Sequence, residues 1–187
     1  MTRFEAERDL TRKLLSDAPI WEALGHSAWQ AWGALELEGL FGIPDLVLAF
    51  GRHDRIGRPM LRTYAFEVKL SDWKRALAQA FRYRAFAQCS FVVMDEASVD
   101  RAIASIGSFH RSNIGLISVS FSGGLRIHYR PRMRSPYAER LKQRFIAIAS
   151  SNVFGTDDEV EQLSISWSEE LKLANCELNR LPASAHS

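Results

Sequence analysis

Cysteine and long apolar runs are scarce in this sequence, and each scarcity excludes a class of protein. Only Cys89 and Cys176 occur among 187 residues, far apart and outside any metal-ligand spacing. We therefore expect reduced thiols rather than a disulfide framework or a zinc site. No run approaches ~18 consecutive apolar residues, so no membrane span is predicted. Charged residues stand where a signal peptide needs its apolar stretch, and we expect a soluble protein of the cytoplasm.

An excess of charge of one sign is also missing, since the formal net charge is only +2. This excludes a histone-like polycation and leaves any nucleic-acid contact to local clusters of charge. Hydrophobic residues make up 47% of the chain, which is enough for a substantial core and excludes a disordered chain. The length suits one domain of ordinary size with room for a small appendage.

The spacing of apolar residues predicts an α/β protein. Because strands alternate with helices, we expect a mixed sheet covered by helices on both faces. The strand that contains Glu67 should connect through a helix to a parallel neighbour. Residues 51–62 carry glycine, proline and charge and are predicted to form an exposed hairpin loop. The predicted helices are 3–16, 72–88 and 97–109, and the predicted strands are 29–38, 45–50, 64–70, 91–94, 115–120 and 125–129.

The first chemical signal is Glu67-Val68-Lys69, within a predicted strand. Side chains alternate along a strand, so Glu67 and Lys69 share one face. By itself this pattern favours an ordinary amphipathic strand with a solvated charged face. The pattern indicates a functional site only if other polar side chains lie close to Glu67 and Lys69.

Asp45 is the second signal, because it opens an otherwise apolar strand after Gly42-Ile43-Pro44. If its strand pairs with the Glu67 strand, two carboxylates and an ammonium form an oxygen-rich pocket. Mg²⁺ takes carboxylate, water and phosphate oxygens and often needs only one or two carboxylates. The alternative is a turn residue after Pro44, which would leave Glu67 and Lys69 unexplained.

Glu7 is a third candidate, on the helix predicted at 3–16. Its direction falls within the apolar arc of Phe4, Leu10 and Leu14, where a carboxylate is costly without a partner or a cation. The alternative is a half-exposed salt bridge in the first helical turn, which the helix dipole favours.

Gln79 and Tyr83 lie four residues apart on the helix that follows the Glu67 strand, so they are stacked neighbours. Such a pair can reach the mouth of a metal site or a phosphate. A pair at the edge of the core is the alternative and, on this spacing alone, the better interpretation.

Taken together in chain order, these elements resemble the PD-(D/E)xK nuclease superfamily. They are Glu7 on a first helix, Gly42-Ile43-Pro44-Asp45-Leu46-Val47, Phe66-Glu67-Val68-Lys69, and Gln79-Ala80-Phe81-Arg82-Tyr83. The last is similar to the QxxxY motif of the RecB-like branch, and Holliday-junction resolvases and many restriction endonucleases share the same core. The resemblance covers roughly residues 1–130 and implies a restriction endonuclease-like, three-layer α/β/α core with a mixed central sheet.

The resemblance also implies roles for individual residues. Asp45 and Glu67 would ligate Mg²⁺ or Mn²⁺ together with the Val68 carbonyl, and Lys69 would orient or deprotonate the attacking water. Glu7 would bind the metal directly or through water, although Glu36 or Glu38 on the preceding strand is an alternative. Gln79 and Tyr83 would support the site. The implied reaction is in-line hydrolysis of a phosphodiester, with the metal and Lys69 stabilising the developing charge.

Beyond residue 130 the composition changes, and we divide the chain into a nuclease-like core at 1–130 and an extension at 131–187. The extension is expected to be helical, basic at first and acidic later. The basic stretch fits contacts to DNA phosphates, for which the candidates are Arg130, Arg132, Arg134 and Lys142. The alternative is a solvated basic helix that pairs with the acidic C-terminal segment, which contains Asp157, Asp158, Glu159, Glu161, Glu169, Glu170 and Glu177.

Three functions therefore compete. The leading one is a Mg²⁺-dependent DNA endonuclease, and many relatives of that fold cleave as homodimers. The second is a catalytically silent nucleic-acid-binding or regulatory module, which has no chemical need for Asp45, Glu67 and Lys69 together. The third is an interaction subunit whose acidic C-terminal segment docks a protein partner.

Overall fold

The computed structural model describes residues 3–16, 20–26, 29–38 and 40–151. Within these ranges the chain forms one six-stranded sheet in the order β1-β2-β3-β4-β5-β6, with helices before, between and after the strands. The strands are β1 Gln30–Leu35, β2 Leu46–His53, β3 Pro59–Lys69, β4 Cys89–Asp95, β5 Gly115–Val119 and β6 Leu125–Tyr129. The helices are α1 Glu7–Ser16, α2 Ile20–Leu24, α3 Trp73–Tyr83, α4 Asp100–Ala104, α5 Ile106–Ser112 and α6 Glu139–Ser151, with a 3-10 turn at Glu96–Ser98.

The sheet is mixed, as the sequence predicts. The first three strands form an antiparallel meander, β3, β4 and β5 run parallel, and β6 returns antiparallel to β5. The predicted crossover is confirmed, because α3 carries the chain from the end of β3 to the start of the parallel strand β4. The carboxyl ends of β3 and β4 consequently lie at the same edge of the sheet.

Two hydrophobic clusters cover the two faces of the sheet, as alternating side chains require. One contains Leu10 and Leu14 of α1 with Phe66 of β3. The other contains Ala76 and Ala80 of α3 with alternate residues of the same strands. The β4 residues are buried throughout, which is typical of a central strand between helices.

Element boundaries depart from the prediction in several places. The predicted exposed hairpin at 51–62 is present, but its predicted loop is too long, because β2 continues to His53 and β3 begins at Pro59. The turn between them is only five residues long, and Asp54 closes it by accepting hydrogen bonds from the backbone N–H groups of Ile56 and Arg58 at 2.9 Å each. The first helix begins at Glu7 rather than residue 3, α3 ends at Tyr83 rather than residue 88, and α2 was not predicted.

The described part of the extension packs against the sheet. Phe145 and Ile146 of α6 are buried in the same cluster as α3, and the Phe145 ring packs edge-on against Trp32 of β1 at 5.8 Å between centroids. The acidic segment at 157–177 lies outside the described residues. Among the helices that the structure describes, none is long and apolar enough to cross a membrane.

Candidate functional site

Glu67 and Lys69 lie at the carboxyl end of β3, where the sequence places them on one face of the strand. The Lys69 Nζ is 3.0 Å from Glu67 Oε1. The Glu67 side chain is only 1% exposed and that of Lys69 14% exposed. This is therefore a buried ion pair and not the solvated charged face of an amphipathic strand.

Asp45 joins the pair through strand register. Leu46 at the start of β2 is paired with Phe66, so the residue before it lies beside Glu67 and Val68. Asp45 Oδ2 accepts a 2.6 Å hydrogen bond from the Val68 N–H and lies 3.9 Å from Lys69 Nζ. The side chain thus bridges to β3.

Glu7 reaches the same ammonium from α1, which packs on the opposite face of the sheet from α3. Its Oε2 is 2.9 Å from Lys69 Nζ, across 62 residues of sequence. The alternatives Glu36 and Glu38 are exposed, and neither forms an ion pair with Lys69 in the described structure. Among the three glutamates considered, Glu7 is the one at the site.

Tyr83 closes the buried side of this cluster. Its hydroxyl donates to Glu67 Oε2 and lies 3.0 Å from the Ile43 carbonyl oxygen, so the tyrosine ties α3 to β3 and to the loop before Asp45. The loop passes close to the ring because Gly42 has no side chain. A Cβ there would lie 3.0 Å from Tyr83 Cε1, and its φ of +94° suits glycine.

Gln79 lies one turn before Tyr83 on α3, but in the described structure it does not bond to the carboxylates as Tyr83 does. Its side-chain oxygen is buried and has no hydrogen-bond partner within the described residues. Buried polar atoms are usually paired, so this oxygen is an exception. The structure brings Tyr83 to the carboxylates but shows no bond from Gln79 to them.

The electrostatics of the cluster follow from its burial. Burial raises the pKa of Asp45 to about 6, with help from the charges of Glu67 and Glu7 and against the Val68 N–H bond and Lys69. Burial alone would lower the pKa of Lys69, but its bonds to Glu7 and Glu67 and the nearby Asp45 raise it above its ordinary value. Burial, together with the bond to Glu67, also raises the pKa of Tyr83. Lys69 is therefore a firmly held cation.

The donor atoms around Lys69 are of the kind that hard divalent cations take. Besides the three carboxylates, the Val68 carbonyl oxygen lies 2.8 Å from the same Nζ. Within the described residues, no three His, Cys, Asp or Glu side chains are grouped closely enough to hold a metal by themselves. Two carboxylates and a carbonyl oxygen still fit Mg²⁺, which commonly completes its shell with water.

Comparisons with protein-family models, curated proteins and solved structures found no match. The interpretation of the cluster therefore depends on its own geometry. A partly buried, oxygen-rich cluster with one lysine can hold a cation or simply tie three segments of the chain together.

The candidate phosphate contacts lie elsewhere. Arg130, Arg132 and Arg134 line a cavity of about 660 Å³ near the amino ends of β4 and β5, whereas Lys69 ends β3 beside the other end of β4. At 3.3 Å per residue, the five steps from Cys89 to Met94 along β4 span roughly 16 Å. Lys142 is not among the residues that line this cavity and pairs with Glu139 on α6 at 3.1 Å.

Sequence reasoning missed two arginines of this cavity, Arg84 and Arg111. Arg84 follows α3 and Arg111 lies in the last turn of α5, but nothing in the local sequence connects either of them with the later basic stretch. It also missed Asp95, which is 1% exposed at the end of β4. The Asp95 carboxylate accepts hydrogen bonds from Phe4 N–H at 3.4 Å and Ala97 N–H at 3.0 Å, which explains its burial.

Proposed function

We propose that this chain is a Mg²⁺-dependent nuclease of the restriction endonuclease-like fold that hydrolyses phosphodiester bonds in DNA. The observation that carries the proposal is the convergence of Asp45, Glu67, Glu7 and the Val68 carbonyl on Lys69 Nζ. These groups come from α1, the loop before β2, and β3. The mixed sheet with helices on both faces supports the fold assignment.

In this proposal each residue of the cluster has its own role in metal binding or hydrolysis. Asp45, Glu67 and the Val68 carbonyl would hold Mg²⁺ or Mn²⁺, and Glu7 would bind it directly or through water. A metal ion there supplies polarisation of the phosphoryl oxygen and a more acidic bound water. Because Lys69 contacts the same oxygens, its ammonium has to leave some of them when they hold a metal. Its flexible stem allows it to turn toward the attacking water or the phosphate.

Tyr83 would position Glu67 rather than take part in the reaction. Its hydroxyl occupies one carboxylate oxygen of Glu67 while Lys69 contacts the other. The carboxylate is therefore fixed in orientation before any ligand arrives, which reduces the ordering that ligand binding would require. Gln79 would complete this support from the same helix.

A catalytically silent nucleic-acid-binding module is the second candidate, and one observation favours it. Lys69 Nζ lies within 3.9 Å of all three carboxylates, so the cluster already contains one cation without a metal. Such a protein would bind DNA with the same affinity whether or not Mg²⁺ is present and would not cleave it. The interaction-subunit hypothesis depends on the acidic segment, which lies outside the described residues.

The test is cleavage of supercoiled plasmid and of single-stranded DNA in Mg²⁺, in Mn²⁺ and in EDTA. We expect metal-dependent cleavage by the wild type and a loss of about 10²–10³-fold in Asp45→Asn and Lys69→Ala. Glu38→Gln, which removes an exposed carboxylate nearby in sequence, is the matched control and should cleave at the wild-type rate. Absence of cleavage with every metal, or equal cleavage by Asp45→Asn, Lys69→Ala and the wild type, would exclude a nuclease that uses this site.

A further inference from the structure

A second site is suggested by the cavity near the amino ends of β4 and β5, which we call the arginine cavity. Five arginine residues line it, and none of the described residues that line it is acidic. Like charges brought together repel one another, so such a group is unfavourable until an anion neutralises it. The five are Arg84, Arg111, Arg130, Arg132 and Arg134.

Two of the arginines are held by backbone carbonyls at helix ends. The Arg84 guanidinium donates to Ser112 O at 3.1 Å, at the end of α5. The Arg130 guanidinium donates to the carbonyls of Ala23 and Leu24, at the end of α2. These bonds orient both side chains without neutralising them.

Other arginines are placed through their backbone. The Asn113 side chain forms two hydrogen bonds with the backbone of Arg132. Its Oδ1 accepts from the Arg132 N–H at 2.9 Å, and its Nδ2 donates to the Arg132 carbonyl oxygen at 2.8 Å. The Arg134 N–H donates to Gln88 O at 3.2 Å. The segment that carries these guanidinium groups is thus fixed across the strand ends.

The cavity wall also includes an aromatic pair. The rings of His110 and Tyr129 pack with centroids 4.1 Å apart, tilted by 31°. The Tyr129 hydroxyl donates to Asn113 Oδ1 at 3.4 Å, which ties the pair to the same framework. A flat ring beside several guanidinium groups is suited to a ligand that combines a planar base with phosphates.

We propose that the arginine cavity binds a compact polyphosphate, of the nucleoside triphosphate or inorganic triphosphate class. Arginine residues border it from the end of α3, the end of α5 and the segment after β6, so a ligand there would have positive charge on several sides. A concave space of about 660 Å³ suits a small ligand more closely than a long nucleic-acid duplex. This site is separate from the Lys69 cluster, and the inference does not depend on the proposed nuclease activity.

The test is isothermal titration calorimetry of the full chain in EDTA. The three ligands are inorganic tripolyphosphate, ATP and a single-stranded oligothymidylate. Arg111→Gln/Arg132→Gln is the test variant, because neither guanidinium holds another secondary-structure element in the described structure. Arg101→Gln, an exposed arginine on α4 outside the cavity, is the matched control. EDTA keeps the measurement independent of metal binding and of hydrolysis.

We expect the wild type and the Arg101 variant to bind both triphosphates, and the double variant to bind them at least about tenfold more weakly. Tighter binding of ATP than of tripolyphosphate would assign the nucleoside class, and equal binding the inorganic class. The proposal is overturned if the wild type binds neither triphosphate, if only the oligonucleotide binds, or if the double variant binds as tightly as the wild type. If the double variant loses its native melting transition, Arg134→Gln replaces it with the same expectations.

Discussion

The Lys69 cluster and the arginine cavity are charged sites of opposite design. In the first, three carboxylates and a carbonyl oxygen surround one largely buried ammonium, whose positive charge is neutralised within the fold. In the second, five arginine residues line one open space with no carboxylate among the described lining residues. The ammonium of the first site is therefore neutralised by the fold itself, whereas the positive charge of the second site is neutralised only when an anion binds.

Both sites include a residue from the C-terminal end of α3. Tyr83 donates its hydroxyl to Glu67 in the cluster, and the next residue, Arg84, lines the arginine cavity. Neighbouring residues on a helix point about 100° apart, so one turn can serve both sites without bringing them together.

The largest expected effect comes from removing the cation of the cluster. Lys69→Met leaves Glu67, which is 1% exposed, without its ionic partner, and we expect the free energy of unfolding to fall by about 3–5 kcal/mol. Urea denaturation in EDTA measures this change in the free energy of unfolding. Lys142→Met, which removes only an exposed surface pair with Glu139, should change the value by less than about 1 kcal/mol. Equal effects in the two variants would show that the cluster is not a buried ion network.

The next effect concerns the tyrosine that fixes Glu67. Tyr83→Phe removes the hydroxyl that bonds to a buried carboxylate and to the Ile43 region, and we expect a loss of about 1.5–3 kcal/mol. Tyr137→Phe is the matched control, since Tyr137 is exposed and its hydroxyl donates to Arg82 O at 3.4 Å. A thermal or urea midpoint for Tyr83→Phe that equals that of the control would contradict the role assigned to Tyr83.

A smaller effect is the pH dependence that Asp45 imposes. Its pKa is raised from 3.8 to about 6, so between these values the folded chain binds a proton that the unfolded chain releases. The contribution of Asp45 is fully present below about pH 4 and is lost as the pH rises through about 6. After allowance for solvent screening, we expect a change of about 1–2 kcal/mol.

The measurement is the difference in unfolding free energy between the wild type and Asp45→Asn at pH 4 and pH 7, in EDTA. The difference isolates Asp45 from the other carboxylates that titrate in the same range. Relative to the variant, the wild type should be more stable at pH 4 than at pH 7. A difference that does not vary with pH would show that Asp45 titrates normally.

The smallest effect on stability is expected at the arginine cavity. In the absence of ligand, Arg132→Gln should change the free energy of unfolding by no more than about 0.5 kcal/mol, or raise it slightly, because it removes a charge from a group of like charges. Urea denaturation at low salt measures this. A loss comparable to that of Lys69→Met would mean that the cavity arginines hold the fold together, and the contrast between the two sites would fail.

Much of the fold could be predicted from the sequence because its signals are local. The apolar run Leu46–Phe50 and the alternation around Glu67 specify strands directly, and the helix between Glu67 and Phe91 implies a parallel crossover. The loop between β2 and β3 was predicted too long because Gly57 and Pro59 are residue types typical of loops. In fact Asp54 closes the turn tightly, and pairing with the neighbouring strand carries Pro59 into β3.

What the sequence by itself determined is that Glu67 and Lys69 share a face, since backbone geometry alone dictates the alternation of side chains. Only the tertiary structure decided that Glu7, 62 residues from Lys69, reaches the same ammonium while Glu36 and Glu38 do not. It also decided that Arg84 and Arg111 join the later arginines in one cavity away from the Lys69 cluster. These arrangements depend on strand register and helix packing, which bring together residues that no local pattern connects.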